Sequence, residues 1–265
     1  MVRNTNQSRS RRSVLKALGT CAAVGTIPVA GSARPDNTAQ FKALWEAGLE
    51  VREHAGIDKW NQWLSNQGFT TRQVLARDYV TPGQPKPSSD GFSTQNLEKS
   101  HIDRALTVSK HDGYEGTHVA DFYWDWVVLS YNPGDGEPPK DPVTIGWNDN
   151  FYDHEQSYVN DYDYNTYESD SVELWENRPE GATFKYKDDP VNSDKTYTAN
   201  VGTYMNAVGS TSSLRDVIFN YYHTWDQVDI TGISWGSGGP AIQFGNERKR
   251  WLLSTEVDEG ANYYD

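Results

Sequence analysis

The stretch at residues 117–131, THVADFYWDWVVLSY, decides the fold class because its side chains alternate with a period of two. One face is apolar and carries Ala120, Phe122, Trp124, Trp126 and Val128. The opposite face mixes apolar and acidic side chains and carries Val119, Asp121, Tyr123, Asp125 and Val127. Apolar side chains on both faces are typical of a strand in the middle of a sheet. We therefore expect a central β-strand here.

Segments with the same period lie on both sides of this strand. Residues 102–110 precede it, and the turn residues at 112–116 would join the two as a hairpin. Further candidate strands follow at 143–147, 158–166, 171–176, 183–187, 196–204, 217–225, 228–234, 241–244 and 250–257. About ten short strands separated by turn residues predict an antiparallel β-sandwich or jelly-roll-like domain over residues 97–265.

The segment before this domain has helical spacing. Within residues 34–80, a capping box predicts a helix from Asn37, a second short helix can begin at Asp58, and Thr70 can cap a third. Residues 81–96 are rich in Pro, Gly, Ser and Gln, a composition typical of a linker. The expected order is a short helical unit, a linker and then the β domain.

Residues 1–33 have the composition of a removable export signal. They hold five basic residues and no acid, with a mildly apolar run that ends in small residues. Within them lies a motif made of Ser10, Arg11, Arg12, Val14, Leu15 and Lys16. This motif resembles the twin-arginine (Tat) export motif, with Val14 where that family commonly has phenylalanine. The resemblance implies that the Tat export machinery delivers a folded protein, secreted into the medium or to the cell surface.

Two other fates of this segment stay open. A retained segment would be a membrane anchor, although Pro28 and several glycines make a poor spanning helix. Cys21 faintly resembles a lipoprotein cleavage site, but the apolar run continues well beyond it. Cleavage near Ala33 would leave a chain without cysteine and without a stable membrane span. A single cysteine excludes a disulfide scaffold and a structural cysteine–zinc site.

The chain is strongly acidic, with 37 Asp and Glu against 24 Lys and Arg. Loss of residues 1–33 would remove five bases and no acid, which raises the excess to 18 negative charges. Such a field repels nucleic acid and excludes it as a partner. Together with Tat export, the acidity resembles the secreted proteins of salt-loving archaea, whose surface carboxylates keep them hydrated in brine.

One acidic segment suggests a calcium ligand set. Asp161, Asp163 and Asn165 match the first three oxygen positions of an EF-hand loop. The loop would then need glycine at Thr166 and glutamate at Val172, and the sequence has neither. A looser calcium site is one interpretation, and polar side chains of a strand facing brine are the other.

Three residues are candidate ligand contacts. Glu173 and Trp175 share one face of a predicted strand, opposite Val172 and Leu174. If Val172 and Leu174 face the core, an acid lies beside an exposed indole, the combination that sugar-binding surfaces use. Tyr123 is a further aromatic on a polar-leaning strand face.

A glycosidase would need two carboxyl groups about 5 to 9.5 Å apart. Asp121 and Asp125, four residues apart on one strand, would be separated by about 13 Å. Either could pair only with an acid on another strand. The sequence therefore assigns no catalytic residue.

Two other motifs are better explained by structure than by chemistry. Gly232, Ser234 and Gly236 fit the nucleophile-elbow pattern, but no helix pattern and no later histidine follow. We expect a glycine-rich hairpin loop directly after it, at Ser237, Gly238, Gly239 and Pro240. His223 shares a face with Phe219 and other apolar residues, which favours a hydrogen-bonded histidine in the core.

These observations favour a secreted binding module that acts on surface polysaccharide or on a protein, without a cofactor other than a calcium ion at the site above. A secreted hydrolase of the glycosidase type, using Asp or Glu, is the alternative. A secreted toxin or antimicrobial protein is a third hypothesis. A sandwich fold can host all three.

Overall fold

The computed structural model describes residues 37–76, 102–128, 140–161, 172–187, 195–209, 213–224, 228–245, 250–258 and 262–264. All of them belong to one compact unit, Asn37–Asp265, so the helices and the strands lie in the same unit. The export motif Ser10–Lys16 and the predicted linker at 81–96 lie outside the described residues.

Two helices precede thirteen strands along the described chain. The helices are α1 (Asn37–Ala55) and α2 (Ile57–Asn66). The first seven strands are β1 (Phe69–Ala76), β2 (Ile102–His111), β3 (Thr117–Val128), β4 (Asp141–Trp147), β5 (Tyr152–Asp161), β6 (Val172–Arg178) and β7 (Gly181–Tyr186). The remaining strands are β8 (Lys195–Ala207), β9 (Val217–Thr224), β10 (Ile230–Gly236), β11 (Gly239–Phe244), β12 (Arg250–Val257) and β13 (Asn262–Tyr264).

The strands form two large antiparallel sheets and a separate hairpin. The six-stranded sheet has the order β13-β1-β2-β3-β8-β5, and the five-stranded sheet has the order β12-β9-β4-β7-β6. Strands β10 and β11 pair with each other. The predicted fold class, a mainly antiparallel β protein with a short helical segment before it, is confirmed.

The main core lies between the two sheets. Phe122 and Trp124 of β3 meet side chains of the five-stranded sheet, and the Phe122 ring stacks on that of Phe219. The other face of β3 contributes Val119 to a second cluster with α1 and α2. Strand β3 is therefore central and covered on both faces, as its alternating sequence predicts.

The helices cover the outer face of the six-stranded sheet. Phe41 and Trp45 of α1 and Trp60 of α2 are fully buried against that face. Burial of each such ring stabilises the fold by about 1.5–3 kcal/mol. Within the part of the chain that the structure describes, neither helix combines the length and the apolar character that a bilayer span needs.

The predicted third helix is wrong, because its residues form strand β1. Thr71 lies opposite Ser109 of β2, and the two hydroxyls are 2.9 Å apart. Gln73 donates a hydrogen bond of 2.8 Å to Thr107. Gln73, three residues after the predicted cap residue Thr70, and its neighbour Thr71 therefore form side-chain hydrogen bonds between strands, so tertiary pairing overrides local propensity.

The bounds of other strands also differ from the prediction. Strand β5 begins at Tyr152, six residues before the predicted start at Tyr158, and β13 was not predicted. Tyr152 is fully buried, and its hydroxyl accepts a hydrogen bond of 2.7 Å from the Arg215 backbone N–H. Contacts of this kind come from residues distant in sequence, and a local pattern does not contain them.

The hairpin β10–β11 lies on the five-stranded sheet. Gly236 pairs with Gly239, and Ser234 Oγ donates to the Ala241 carbonyl at 3.3 Å. A Cβ atom at Gly239 would lie 2.3 Å from the Gly146 Cα, so glycine is needed where the hairpin meets β4. The glycine-rich hairpin loop is confirmed, and Ser234 is a strand residue rather than part of a nucleophile elbow.

Candidate functional site

The Asp121 carboxylate is the centre of a buried polar network between the helices and the six-stranded sheet. Arg52 of α1 donates from Nη1 to one carboxylate oxygen. The Tyr158 hydroxyl and the Asn200 amide each donate to the other oxygen at 2.7 Å. Both carboxylate oxygens thus have donors, although the Asp121 side chain is wholly removed from solvent. We call these four residues the Asp121 network.

Aromatic rings hold the Arg52 guanidinium in place. Its central carbon lies 4.6 Å from the Trp60 ring centroid and 4.8 Å from the Tyr123 ring centroid. Trp45 Nε1 donates to the Tyr158 hydroxyl at 2.8 Å. Removing one partner from a buried ion pair typically costs about 3–5 kcal/mol, because the other charge stays buried. The network therefore fixes α1 to the sheet.

A glycine makes the contact between Tyr158 and Asp121 feasible. Gly202 of β8 lies between them in the sheet, opposite Asp121 on β3 and Tyr158 on β5. A Cβ atom at Gly202 would lie 2.2 Å from the Tyr158 ring. The missing side chain leaves room for the Tyr158 ring to cross β8. Burial has the largest effect on the pKa of Tyr158, and the nearby Asp121 charge adds to it. Together they hold this pKa well above its usual range, so the Tyr158 hydroxyl remains a donor.

A second acid lies further along the same face. The Tyr123 hydroxyl and the Thr198 hydroxyl donate to the same Asp125 carboxylate oxygen at 2.8 and 2.5 Å. Burial raises the pKa of Asp125 and of Tyr123. The sheet register places Asp103 of β2 directly opposite Asp125.

A third buried carboxylate lies at the start of β4. Asp141 is wholly buried and accepts hydrogen bonds from the Tyr221 hydroxyl at 2.5 Å and the Thr224 backbone N–H at 2.7 Å. His223 Nδ1 lies 3.0 Å from the same carboxylate. The expected core histidine with a hydrogen bond is confirmed. Asp141 joins β4 to β9, which places it in the scaffold rather than on an accessible surface.

Glu173 and Trp175 lie on the outer side of the edge strand β6, among bases. The group comprises Glu173, Trp175, Glu176 and Arg178 of β6 with Lys140, Lys185 and Trp235, and we call it the β6 patch. Lys140 Nζ lies 3.3 Å from Glu173 Oε1. Lys185 Nζ lies 4.2 Å from the centroid of the Trp175 ring. An acid and a partly exposed indole are therefore neighbours, each beside an ammonium group.

The other end of the patch repeats this arrangement. Arg178 Nε lies 2.8 Å from Glu176 Oε1, and the same guanidinium lies 5.4 Å from the Trp235 ring centroid. Trp235 belongs to the β10–β11 hairpin, so the patch joins the sheet edge to the hairpin. No periodicity in the sequence brings Trp235 or Lys140 to this place.

A β-bulge aims the Trp175 side chain. The register between β6 and β7 shifts between Leu174 and Glu176, which leaves Trp175 as the extra residue. Bulges commonly re-aim a side chain at functional sites and at sheet edges. Val172 is buried, and Leu174 lies on the same sheet face, opposite the buried Phe184. Leu174 nevertheless stays 42% exposed, because β6 is the last strand of its sheet among the described residues.

The predicted ligand residues do not form one site. Tyr123 lies on the helix-covered face of the six-stranded sheet, whereas Glu173 and Trp175 lie on the edge of the other sheet. Asp161 ends β5, and its side chain is not among those described. Asp163 and Asn165, the other predicted calcium ligands, lie outside the described residues, so the calcium site stays a prediction.

One group of side chains in the described ranges has donors close enough to share a metal ion. Glu50, Glu53 and His54 of α1 have donor atoms within 4.8 Å of one another. His54 Nδ1 donates to the Glu50 backbone carbonyl at 2.8 Å, the normal spacing along a helix. Glu50 and His54 are exposed and Glu53 is half-buried on one helix face, where acidic residues are common without a metal.

No protein-family model and no curated protein matches the chain. Among solved structures, a variant of BcpA, the major pilin subunit of Bacillus cereus, aligns with 10% identity and a TM-score of 0.30, over 56% of this chain and 52% of that one. The chain thus spans about half the length of that pilin. The pilus backbone protein RrgB of Streptococcus pneumoniae aligns with 12% identity and a TM-score of 0.16, over 74% of this chain and 81% of that one. TM-scores this low support no argument about function.

Proposed function

We propose that this protein binds polysaccharide outside the cell through the β6 patch. The observation that carries the proposal is the partly exposed Trp175 indole at a bulge of the edge strand, with the Lys185 ammonium over its ring and the Glu173–Lys140 ion pair beside it. Sugar rings pack their C–H faces on indoles and form hydrogen bonds through their hydroxyls to charged side chains. The patch offers both kinds of contact on one accessible surface.

The leader sequence supports an extracellular location for this activity. Its resemblance to the Tat motif, with Arg11 and Arg12, implies export of a folded chain. The polysaccharides of a cell surface or of the medium are then the ligands within reach. We propose cell-surface association or secretion on this basis.

Affinity electrophoresis of the full chain through gels that contain polysaccharide tests the proposal. Trp175→Ala should restore free migration, because an alanine offers no ring to pack on. Leu174→Ala is the matched control, since Leu174 lies on the same edge strand and is 42% exposed. Retardation that persists in Trp175→Ala, or that disappears in both variants, would contradict the proposal.

A second function, glycoside hydrolysis, is favoured by the register of Asp103 and Asp125. Opposed residues of an antiparallel pair have Cβ atoms about 4.5–5.5 Å apart, and their carboxyl groups can reach the separation that glycosidases use. The raised pKa of Asp125 suits a proton donor. In a screen of chromogenic glycosides at molar salt, Asp125→Asn should abolish any activity found and Glu173→Gln should retain it. Activity that survives Asp125→Asn would exclude this pair.

A further inference from the structure

We infer that the polysaccharide bound at the β6 patch is acidic, and that Lys185 is the residue that recognises its charge. This inference rests on the proposed function and names the class of ligand. It depends on the charge distribution along β6, on the pairing of Lys185 and on the orientation that the sheet gives to Lys185.

Lys185 is a cation without a carboxylate partner in the described chain. Lys140 and Arg178 each form an ion pair with an acid of β6, whereas Lys185 forms none with any described residue. Glu173 is its register neighbour on β6, but that carboxylate lies beside Lys140 instead.

The sheet holds Lys185 on the outer surface. Its neighbours Phe184 and Tyr186 are buried in the core between the sheets, so strand alternation directs Lys185 outward. Its ammonium lies over the Trp175 ring, which the bulge positions. An anion bound to Lys185 Nζ would therefore belong to a sugar unit adjacent to the indole.

Bases also outnumber acids in the patch as a whole. It contains Lys140, Arg178 and Lys185 against Glu173 and Glu176, whereas acids outnumber bases in the whole chain. The acid excess that repels polyanions such as nucleic acid is therefore absent from this patch, and an acidic polysaccharide can approach there. The two ion pairs of the patch are exposed, with 34% and 52% side-chain exposure for Lys140 and Glu173. Exposed pairs of this kind are weak, so carboxylate or sulfate groups of a ligand can replace the protein acids. A neutral glycan could still pack on the indole and form hydrogen bonds, but it would lack this charge-assisted contact.

A matched pair of ligands tests the inference with the full chain. Polygalacturonate and its methyl ester share one backbone, but only the first is charged. At one fixed salt concentration, the wild-type chain should bind polygalacturonate about tenfold more tightly, as expected for a charge-assisted contact. Dextran sulfate and dextran form a second pair that distinguishes recognition of sulfate from recognition of carboxylate.

For whichever ligand pair the wild type discriminates, Lys185→Gln should reduce the affinity for the charged polysaccharide to that for its neutral counterpart. Lys59→Gln is the control, because Lys59 lies exposed on α2, away from the patch. Equal binding of charged and neutral ligands, or unchanged discrimination in Lys185→Gln, would overturn the inference and leave polysaccharide binding intact. Binding of neither member of either pair would instead contradict the proposed function itself. Circular dichroism of each variant separates loss of binding from loss of fold.

Discussion

The Asp121 network and the β6 patch contain the same kinds of residue but differ in their access to water. In the network, an Arg–Asp pair is buried under two helices, and each carboxylate oxygen has a donor. In the patch, Lys–Glu and Arg–Glu pairs lie exposed along an edge strand. Buried charges must be paired and are costly to separate, whereas exposed pairs exchange partners readily. The first region therefore stabilises the fold, and the second can bind a ligand.

The largest expected difference between the two regions is the cost of removing a base. Arg52→Met should lower the free energy of unfolding by about 3–5 kcal/mol, because it leaves the Asp121 charge buried without its partner. Lys140→Met is the matched control and should cost less than about 1 kcal/mol. Denaturant unfolding of the full chain measures both values. Equal costs for the two variants would break the comparison.

A pH experiment tests in another way how burial controls the charge of a side chain. His118 of β3 is buried, and desolvation lowers its pKa from 6.5 to about 4. Between pH 6.5 and pH 4 the unfolded chain therefore binds more protons than the folded one. The neutral His118 imidazole contributes its full stabilisation above pH 6.5, and this contribution is lost as the pH falls towards 4. In His118→Gln, the loss of unfolding free energy between pH 6.5 and pH 4 should be about 3 kcal/mol smaller than in the wild type. The same slope in the variant and the wild type would show that His118 is not responsible.

The smallest expected effect concerns the space that the Asp121 network needs. Gly202→Ala should destabilise the fold by about 1–3 kcal/mol, because the new Cβ atom would displace the Tyr158 ring. Gly236→Ala is the control, since nothing lies within 4 Å of a Cβ atom placed there. Thermal unfolding of the two variants compares them. A Gly202→Ala variant as stable as the control would mean that Tyr158 does not need to cross β8.

Much of the fold follows from local patterns. The alternation in residues 117–131 predicts a central strand, and β3 is hydrogen-bonded between β2 and β8. Turn residues after Lys110 predict the β2–β3 hairpin, which the register confirms. The capping box at Asn37 predicts the start of α1. Each of these signals involves residues close in sequence.

The candidate site depends on contacts that no local pattern contains. Glu173 and Trp175 attract attention as an acid and an indole two residues apart, but Lys140, Lys185 and Trp235 come from other strands and loops. Asp121 looks like a free acid in the sequence, yet Arg52, 69 residues earlier, neutralises it. The bulge at Trp175 depends on how β6 pairs with β7.

Sequence alone thus determines that residues 117–131 form a central strand, which face of that strand is apolar and how acidic the chain is, because these properties arise from neighbouring side chains and from composition. Tertiary structure decides that residues 69–76 pair as a strand rather than coil as a helix, and which charges are buried. Burial depends on what the rest of the chain places over a residue, and it is burial that makes one ion pair part of the scaffold and leaves the other open to a ligand.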